Sequence, residues 1–287
     1  MGVGKKCWNT RQIGEAFYCE IVFSVFTYTP MAELKVISYN VNGIRSAITK
    51  GFIEWLKQEN PDVICLQEIK IAREDFVAKP FEELGYHCYI FPAVKKGYSG
   101  VAVFSKIKPD NVVEGCGIKQ YDSEGRNLRV DIGDVSIMSS YFPSGTTGDE
   151  RQGVKMQYLE DFFKFIREVE LTRKKLIVCG DYNICHKEID IHNPISNKDT
   201  SGFKPEERAW MESYFSGGFI DTFRHFNKEP HQYSWWSFRA NSRANNKGWR
   251  IDYIAATKNM EKDLIESRIL QDIKHSDHCP VYTKFKI

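Results

Sequence analysis

The stretch Lys175-Leu-Ile-Val-Cys-Gly-Asp-Tyr-Asn183 decides how this chain is read. Leu176 to Cys179 is a short apolar run rich in β-branched residues, with charge before it and Gly180 after it. That pattern marks a buried strand ending at a turn. Asp181 and Asn183 fall just past its end. Alternate residues of extended chain point the same way, so the carboxylate and the amide can face one site. In an open α/β sheet, ligands bind outside the carboxyl ends of the strands. Taken alone, an Asp-x-Asn after a strand is more often a turn, so the rest of the chain must decide.

Upstream, the order is strand, helix, strand. Leu34 to Tyr39 reads as a strand, residues 51–59 as a helix with Phe52, Ile53, Trp55 and Leu56 on its apolar face, and residues 62–66 as a second strand followed by Gln67-Glu68. Pro61 closes that helix. Residues 73–84 read as another helix. Residues 86–91 and 100–104 read as strands joined by the basic loop Lys95-Lys-Gly-Tyr-Ser99, and residues 126–132 and 135–142 as a hairpin around Gly133-Asp134. A long helix follows, with Met156, Leu159, Phe163 and Ile166 at helical spacing. Downstream of Asn183, Pro205 starts a helix through Trp210 and Met211. Residues 250–256, 269–273 and 280–287 read as strands. Val36-Ile-Ser-Tyr-Asn-Val-Asn42 echoes Ile177-Val-Cys-Gly-Asp-Tyr-Asn183. Two such halves packed sheet against sheet would bring both polar ends together.

With 287 residues the chain is ample for a sizeable core, and no Gly/Ser/Pro linker divides residues 31–287, so one domain is expected there. Residues 1–30 do not fit that pattern. Met31 stands directly before the first strand and reads as the natural start, with the first thirty residues an extension. Glu15 and Glu20 interrupt the apolar run of that segment, which argues against a secretory signal. No stretch reaches the ~20 apolar residues of a membrane span. The net charge of +2 says nothing about nucleic acid, so only local patches can. Eight cysteines without a C-x-x-C pair suggest neither zinc nor a disulfide framework, and fit free thiols in a reducing cytoplasm.

Several predicted strands end in acids or amides: Asn40 and Asn42, Glu68, Asp181 and Asn183, then Asp277 with His278. Asp252 lies within the strand Ile251-Asp-Tyr-Ile254, where an acid is disfavoured unless paired. Each has a dull reading as a turn or a surface charge. Together they offer oxygen ligands for a hard cation, Mg²⁺ or Mn²⁺ rather than zinc. They also offer a histidine and an acid able to form an oriented pair.

The ordered motifs Ser38-Tyr-Asn-Val-Asn-Gly43, Leu66-Gln-Glu-Ile-Lys70, Lys96-Gly-Tyr-Ser-Gly100, Glu124-Gly-Arg126, Tyr141-Phe-Pro143, Gly180-Asp-Tyr-Asn183, Gly248-Trp-Arg-Ile-Asp-Tyr253 and Ser276-Asp-His-Cys-Pro280 resemble those of the exonuclease III family of apurinic/apyrimidinic endonucleases. Any one motif is weak; the ordered set, from Leu34 to the C-terminus, is specific. The resemblance implies a four-layered α/β sandwich of the deoxyribonuclease-I type. It implies a metal-dependent nuclease that cuts 5′ to abasic sites in duplex DNA, with 3′-to-5′ exonuclease and 3′-phosphatase action as further activities.

By position, the resemblance implies Glu68, Asp277 and Asn40 as metal ligands, with a possible second site at Asp181, Asn183 and His278. It implies Asp181 as the base toward water, Asn183 as its orienting partner, Asp252 as the support of His278, and Tyr141 facing the same phosphate. Asn42 and Ser144 depart from the animal enzymes, where an aspartate and an asparagine stand, and Asn42 matches the bacterial branch.

Residues 231–250 interleave Tyr233, Trp235, Trp236, Phe238 and Trp249 with Arg239, Arg243, Lys247 and Arg250. Read without the resemblance, Trp236 and Phe238 could be core and the charges a solvated face. The resemblance makes Trp235 and Trp249 walls of a pocket for a flipped abasic sugar. It places Lys95, Tyr98, Arg126 and Arg239 against the DNA backbone. A bacterial, cytoplasmic monomer is expected. Two rivals stay open: a phosphatase or nonspecific nuclease of the same fold, and a nucleic-acid-binding regulator that lost catalysis.

Overall fold

The computed structural model describes residues 33–287; the extension expected over residues 1–30 lies outside the described residues. Among the described residues twelve strands form two sheets. They are β1 (Leu34–Asn40), β2 (Val63–Gln67), β3 (His87–Phe91), β4 (Val101–Ser105), β5 (Asn111–Glu114), β6 (Asn127–Ile132), β7 (Val135–Tyr141), β8 (Lys175–Asp181), β9 (Phe219–Asp221), β10 (Asp252–Thr257), β11 (Leu264–Ile269) and β12 (Val281–Phe285). One sheet runs β11-β12-β1-β2-β4-β3 and the other β5-β6-β7-β8-β10-β9. In each, one parallel pair sits among antiparallel neighbours: β1 with β2, and β7 with β8. The echo between residues 36–42 and 177–183 is one of position rather than of strict equivalence: β1 and β8 each belong to the parallel pair of their sheet, but by chain order β1 corresponds to β7 and β2 to β8.

Alternation along these strands builds four layers. Val36 of β1 and Ile177 and Cys179 of β8 point between the sheets, packing with Val63, Val103, Leu128, Ile137 and Ile254. Ile37 and Tyr39 point the other way, onto Phe52, Trp55 and Leu56 of the helix Phe52–Glu59. Leu176 and Val178 likewise meet the helices Asp149–Thr172 and Pro205–Ser216 through Leu159, Phe162, Ile166, Met211 and Tyr214. Truncating a fully buried isoleucine to alanine generally costs about 2–5 kcal/mol, so the inner layer holds the two sheets in fixed relation. In that relation Asn40, at the end of β1, and Asp181, at the end of β8, face each other.

Two expected elements differ. Residues 73–84 do not form one helix; a 3₁₀ turn at Arg73–Asp75 precedes a short helix, Lys79–Glu82. Pro80 lacks an amide hydrogen and is tolerated only in a first helical turn, so a new helix begins there. The strand expected at 269–273 lies earlier, at Leu264–Ile269, where it pairs with β12. The long helix buries Tyr158, Leu159, Phe162, Ile166 and Val169, while Met156 and Phe163 are partly buried at its margin. The short strands β5 and β9 carried too few residues to show a period.

Candidate active site

The ends of β1, β2, β7, β8 and β10 and the loop before β12 converge on one spot. Register sets part of this row directly: Tyr141 lies opposite Asp181 on the parallel side, and Asp252 lies opposite Asp181 on the antiparallel side. From the other sheet, the Asn40 amide donates to Glu68 Oε1 at 2.8 Å and to Asp181 Oδ2 at 2.9 Å. One side chain thus spans both sheets. Just past β8, Asn183 turns in the left-handed region at φ 53°. Its backbone N–H donates to Asp181 Oδ1 at 2.8 Å, and its side-chain amide donates to the Phe142 carbonyl at 2.9 Å and to Asp181 Oδ2 at 3.3 Å. Asn tolerates that backbone shape better than most residues.

His278 stands on the other side of Asp181. Its Nδ1 lies 2.9 and 3.1 Å from the two oxygens of Asp252, and its Nε2 lies 3.9 Å from Asp181 Oδ2. Ser234, which carried no signal in the sequence, donates to Asp252 at 2.6 Å and accepts from the backbone N–H groups of Ile251 and Asp252. The acid inside β10 is thereby fully partnered.

Burial disfavours the charged form of His278, but Asp252, Asp181 and Asp277 outweigh it and push the imidazole up to about 10. Asp181 is raised to about 7, by burial first and then by Asp252 and Glu68, against the pull of His278. A group poised near neutrality suits proton transfer. Burial raises Tyr141 well above its ordinary value, and Glu68 and Asp181 add to that.

Ligand atoms of Glu68, Asp181 and His278 lie within 4.8 Å of one another. Two carboxylates meeting there, one of them almost fully buried, suit a hard divalent cation that would relieve their repulsion. Asp277 borders the same pocket, with Oδ1 accepting from Asn42 at 2.9 Å and Oδ2 from the Trp235 indole at 3.0 Å. Burial opposes its charge, yet His278, Asn42, Trp235 and Ser276 hold it below the usual carboxylate range. Asn42 also accepts from Lys70, which pairs with Glu68 at 2.8 Å. The cluster is therefore a single charge network.

The pocket, of about 320 Å³, is lined by Glu68, Tyr141, Asp181, Asn183, Asp277 and His278 on one side. Trp235, Trp249, Ser144, Thr146, Thr200 and Ser201 complete it. Trp235 and Trp249 meet edge to face at 6.0 Å, and their backbones bond in both directions at 2.9 Å. Another cleft of about 470 Å³, beside β9, has its main charges paired off, Arg224 with Asp190 and His186 with Glu212.

Some basic residues differ from the expectation. Arg126 was expected against the DNA backbone but is 1% exposed. Its guanidinium donates to Glu124 at 2.6 Å and to the Tyr141 carbonyl at 2.6 Å, and lies 5.0 Å over the Tyr141 ring. It supports Tyr141 from behind, and a salt bridge to Glu124 leaves it no free charge for a phosphate. Arg151, half-buried, shares Glu124 and donates to the Tyr98 hydroxyl at 2.9 Å. Arg250 belongs to no basic surface either; it is buried between Asp190 and Asp221. Arg243 pins the loop before His278 by donating to the carbonyls of Ser276, Gln271 and Ile273. Lys95 and Arg239 are exposed, and Tyr98 is half-buried beneath Lys95 at 5.4 Å. Trp236 is core, whereas Phe238 is 76% exposed.

Residues 37–278 match the Endonuclease/Exonuclease/phosphatase family. The chain is 42% identical over 250 residues to an exodeoxyribonuclease of Bacillus subtilis, covering 86% of this chain and 98% of that one. It is 37% identical over 253 residues to a DNA-(apurinic or apyrimidinic site) endonuclease of Dictyostelium discoideum, covering 87% and 70%. The structure of a 3′ phosphatase from Neisseria bound to product DNA hairpin superposes with a TM-score of 0.82 at 25% identity, covering 88% and 100%. Two mixed sheets flanked by helices are the deoxyribonuclease-I-like fold, and the chain belongs to the Endonuclease/Exonuclease/phosphatase family, alongside exodeoxyribonucleases and apurinic/apyrimidinic endonucleases.

Proposed function

We propose that this protein is a DNA repair nuclease that hydrolyses the phosphodiester bond 5′ to abasic sites in duplex DNA. The observation that carries the reading is the Asn40 bridge, which gathers Glu68 from one sheet and Asp181 from the other beside a tryptophan-walled pocket. Removal of nucleotides or phosphate from 3′ ends draws on the same site. The homology to exodeoxyribonucleases and a 3′ phosphatase supports those activities.

Glu68, with Asn40 and Asp277 beside it, would hold Mg²⁺ or Mn²⁺, and such a cation would polarise a phosphate oxygen and stabilise the leaving 3′-oxygen. A second ion at Asp181, Asn183 and His278 would require a neutral His278, which Asp252, Asp181 and Asp277 disfavour. Asp181 takes a proton from the attacking water, whose oxygen bonds to phosphorus as the bond to the 3′-oxygen breaks. Asn183 fixes the carboxylate through two hydrogen bonds. Charged His278, held by Asp252, donates to a phosphate oxygen as negative charge builds there. Tyr141, kept protonated by burial, donates from the end of β7. Trp235 and Trp249 enclose the extruded sugar. Lys95, Tyr98 and Arg239 hold the backbone.

A duplex carrying one abasic analogue tests this reading. Incision is expected with Mg²⁺ and is expected to stop with chelator. Tight binding without incision would favour the regulator of the same fold. The domain assignment is likewise our proposal: a chain beginning at Met31 should keep its melting temperature and specific activity. A large loss of either would show that residues 1–30 serve the fold or DNA binding. Among the described residues no helix is long and apolar enough to cross a membrane; a monomer acting in a bacterial cytoplasm accords with this reading.

A further inference from the structure

Behind the site, on the side away from the pocket, lies a buried ion pair that the chemistry above does not use. Lys155, on the helix Asp149–Thr172, and Glu207, on the helix Pro205–Ser216, are both fully buried and meet at 2.6 Å. The lysine ammonium also donates to the Asn183 carbonyl at 2.8 Å. The glutamate's second oxygen accepts from the backbone N–H groups of Gly202 and Lys204, at 2.7 and 3.0 Å, and so ties down the segment before its own helix. Gln152 joins in, donating to Glu207 at 3.0 Å and accepting from Ser201 at 2.7 Å.

Each arm of this network ends on the pocket. Asn183 is the residue that fixes Asp181. Ser201 and Thr200 line the pocket rim. Gly202 passes so close that an added Cβ would stand 2.9 Å from the Trp249 ring and 3.0 Å from the Asn183 carbonyl oxygen. The Gly202 carbonyl in turn accepts from the Cys185 backbone N–H at 2.7 Å. A buried ion pair is weak evidence for stability, since apolar replacements are often neutral or better. Its value here is in what it aligns.

We infer that Lys155 and Glu207 are positioning residues: one charged pair fixes both the Asn183 turn, which orients Asp181, and the 200–203 segment, which sets the Trp249 wall. The inference rests on the nuclease reading above. An orienting group misplaced by a fraction of its bond length loses rate without losing substrate affinity, because the affinity comes from backbone contacts elsewhere.

The test is Lys155→Met/Glu207→Gln, which removes both charges while the glutamine amide oxygen still caps the helix. Glu207→Gln alone keeps the cap and the lysine's bond to Asn183 but leaves Lys155 without its counter-charge, the costlier change for stability in a buried pair. The parent must first incise the abasic duplex; if it does not, the nuclease reading fails and the pair is not at issue. With an active parent, the double variant should keep its melting transition and its Kd for an undamaged duplex, held by backbone contacts alone, in chelator. Its single-turnover incision rate should fall on the order of 10²-fold. Glu207→Gln should fall in the same quantity by less, and Lys155→Arg, which keeps charge and donor, should recover most of the rate. Parental rate in the double variant overturns the inference. So does a rate loss matched by a loss of melting temperature or of affinity for the undamaged duplex, which would make the pair structural only. Should the double variant lose its melting transition, Lys155→Gln/Glu207→Gln, which also leaves no buried charge unpaired, decides by the same criteria.

Discussion

Glu68→Gln should raise the Mg²⁺ concentration at half-maximal incision about tenfold or more and lower the saturated rate on the order of 10²-fold. A hundredfold loss corresponds to about 2.7 kcal/mol of transition-state stabilisation. The substitution keeps shape, and the new amide oxygen still accepts from Asn40, which now donates to Glu68 at 2.8 Å. What disappears is one full negative charge where Glu68 and Asp181 converge. Lys70, paired with Glu68 at 2.8 Å, then adds an uncompensated positive charge that further opposes a cation. Affinity for the abasic duplex in chelator should change little, since the backbone contacts lie elsewhere. Rate measured against Mg²⁺ gives both quantities, and an unchanged midpoint with an unchanged rate would remove Glu68 from the metal site.

His278→Asn and Asp252→Asn should each cost on the order of 10²-fold in turnover, with the double variant little worse than the worse single one. The expectation follows from contact: Asp252 holds the imidazole through both oxygens, and Ser234 leaves that acid no other orientation. The two single variants should differ in their pH profiles. Asp252 is the largest charge raising His278, so Asp252→Asn lowers the imidazole pKa and brings the alkaline limb toward neutrality. Asp252 also raises Asp181, so its removal moves the acid limb to lower pH, whereas removing His278 moves that limb to higher pH. For stability, His278 is raised from 6.5 to about 10, so its contribution is fully present below pH 6.5 and fades as pH rises through 10. Losses that multiplied as independent effects would dissolve the pair and leave Asp252 a structural strand acid.

Much of this architecture was legible in the chain. The runs at residues 34–39 and 176–179 are apolar on both faces because each strand is covered on both sides, and that is visible without tertiary knowledge. The isolated acid in β10 announced a partner, since an unpaired strand carboxylate would be too costly to bury. The basic residues were harder. Arg126 and Arg250 look like surface charges in sequence, yet Glu124, Asp190 and Asp221 bury them. Asp190 and Asp221 are distant in the chain, and Glu124, though it shares a motif with Arg126, does not announce burial of the pair. Lys155 and Glu207 are 52 residues apart on separate helices, and nothing local distinguishes them from exposed helix charges. Ser234 gave no signal because its role depends on meeting β10 in space.

If Glu68, Asp181 and His278 form one hydrolytic site acting 5′ to an abasic residue, the ends of the cut strand must carry its signature. A duplex with a tetrahydrofuran abasic analogue, which has no aldehyde and cannot undergo β-elimination, is incubated with the protein and Mg²⁺. Incision is expected that stops with chelator and leaves a 3′-hydroxyl on one fragment and a 5′-phosphate on the sugar of the other. An intact analogue strand beside a natural abasic strand cut to an unsaturated 3′-aldehyde, or incision that persists in chelator, would contradict that assignment.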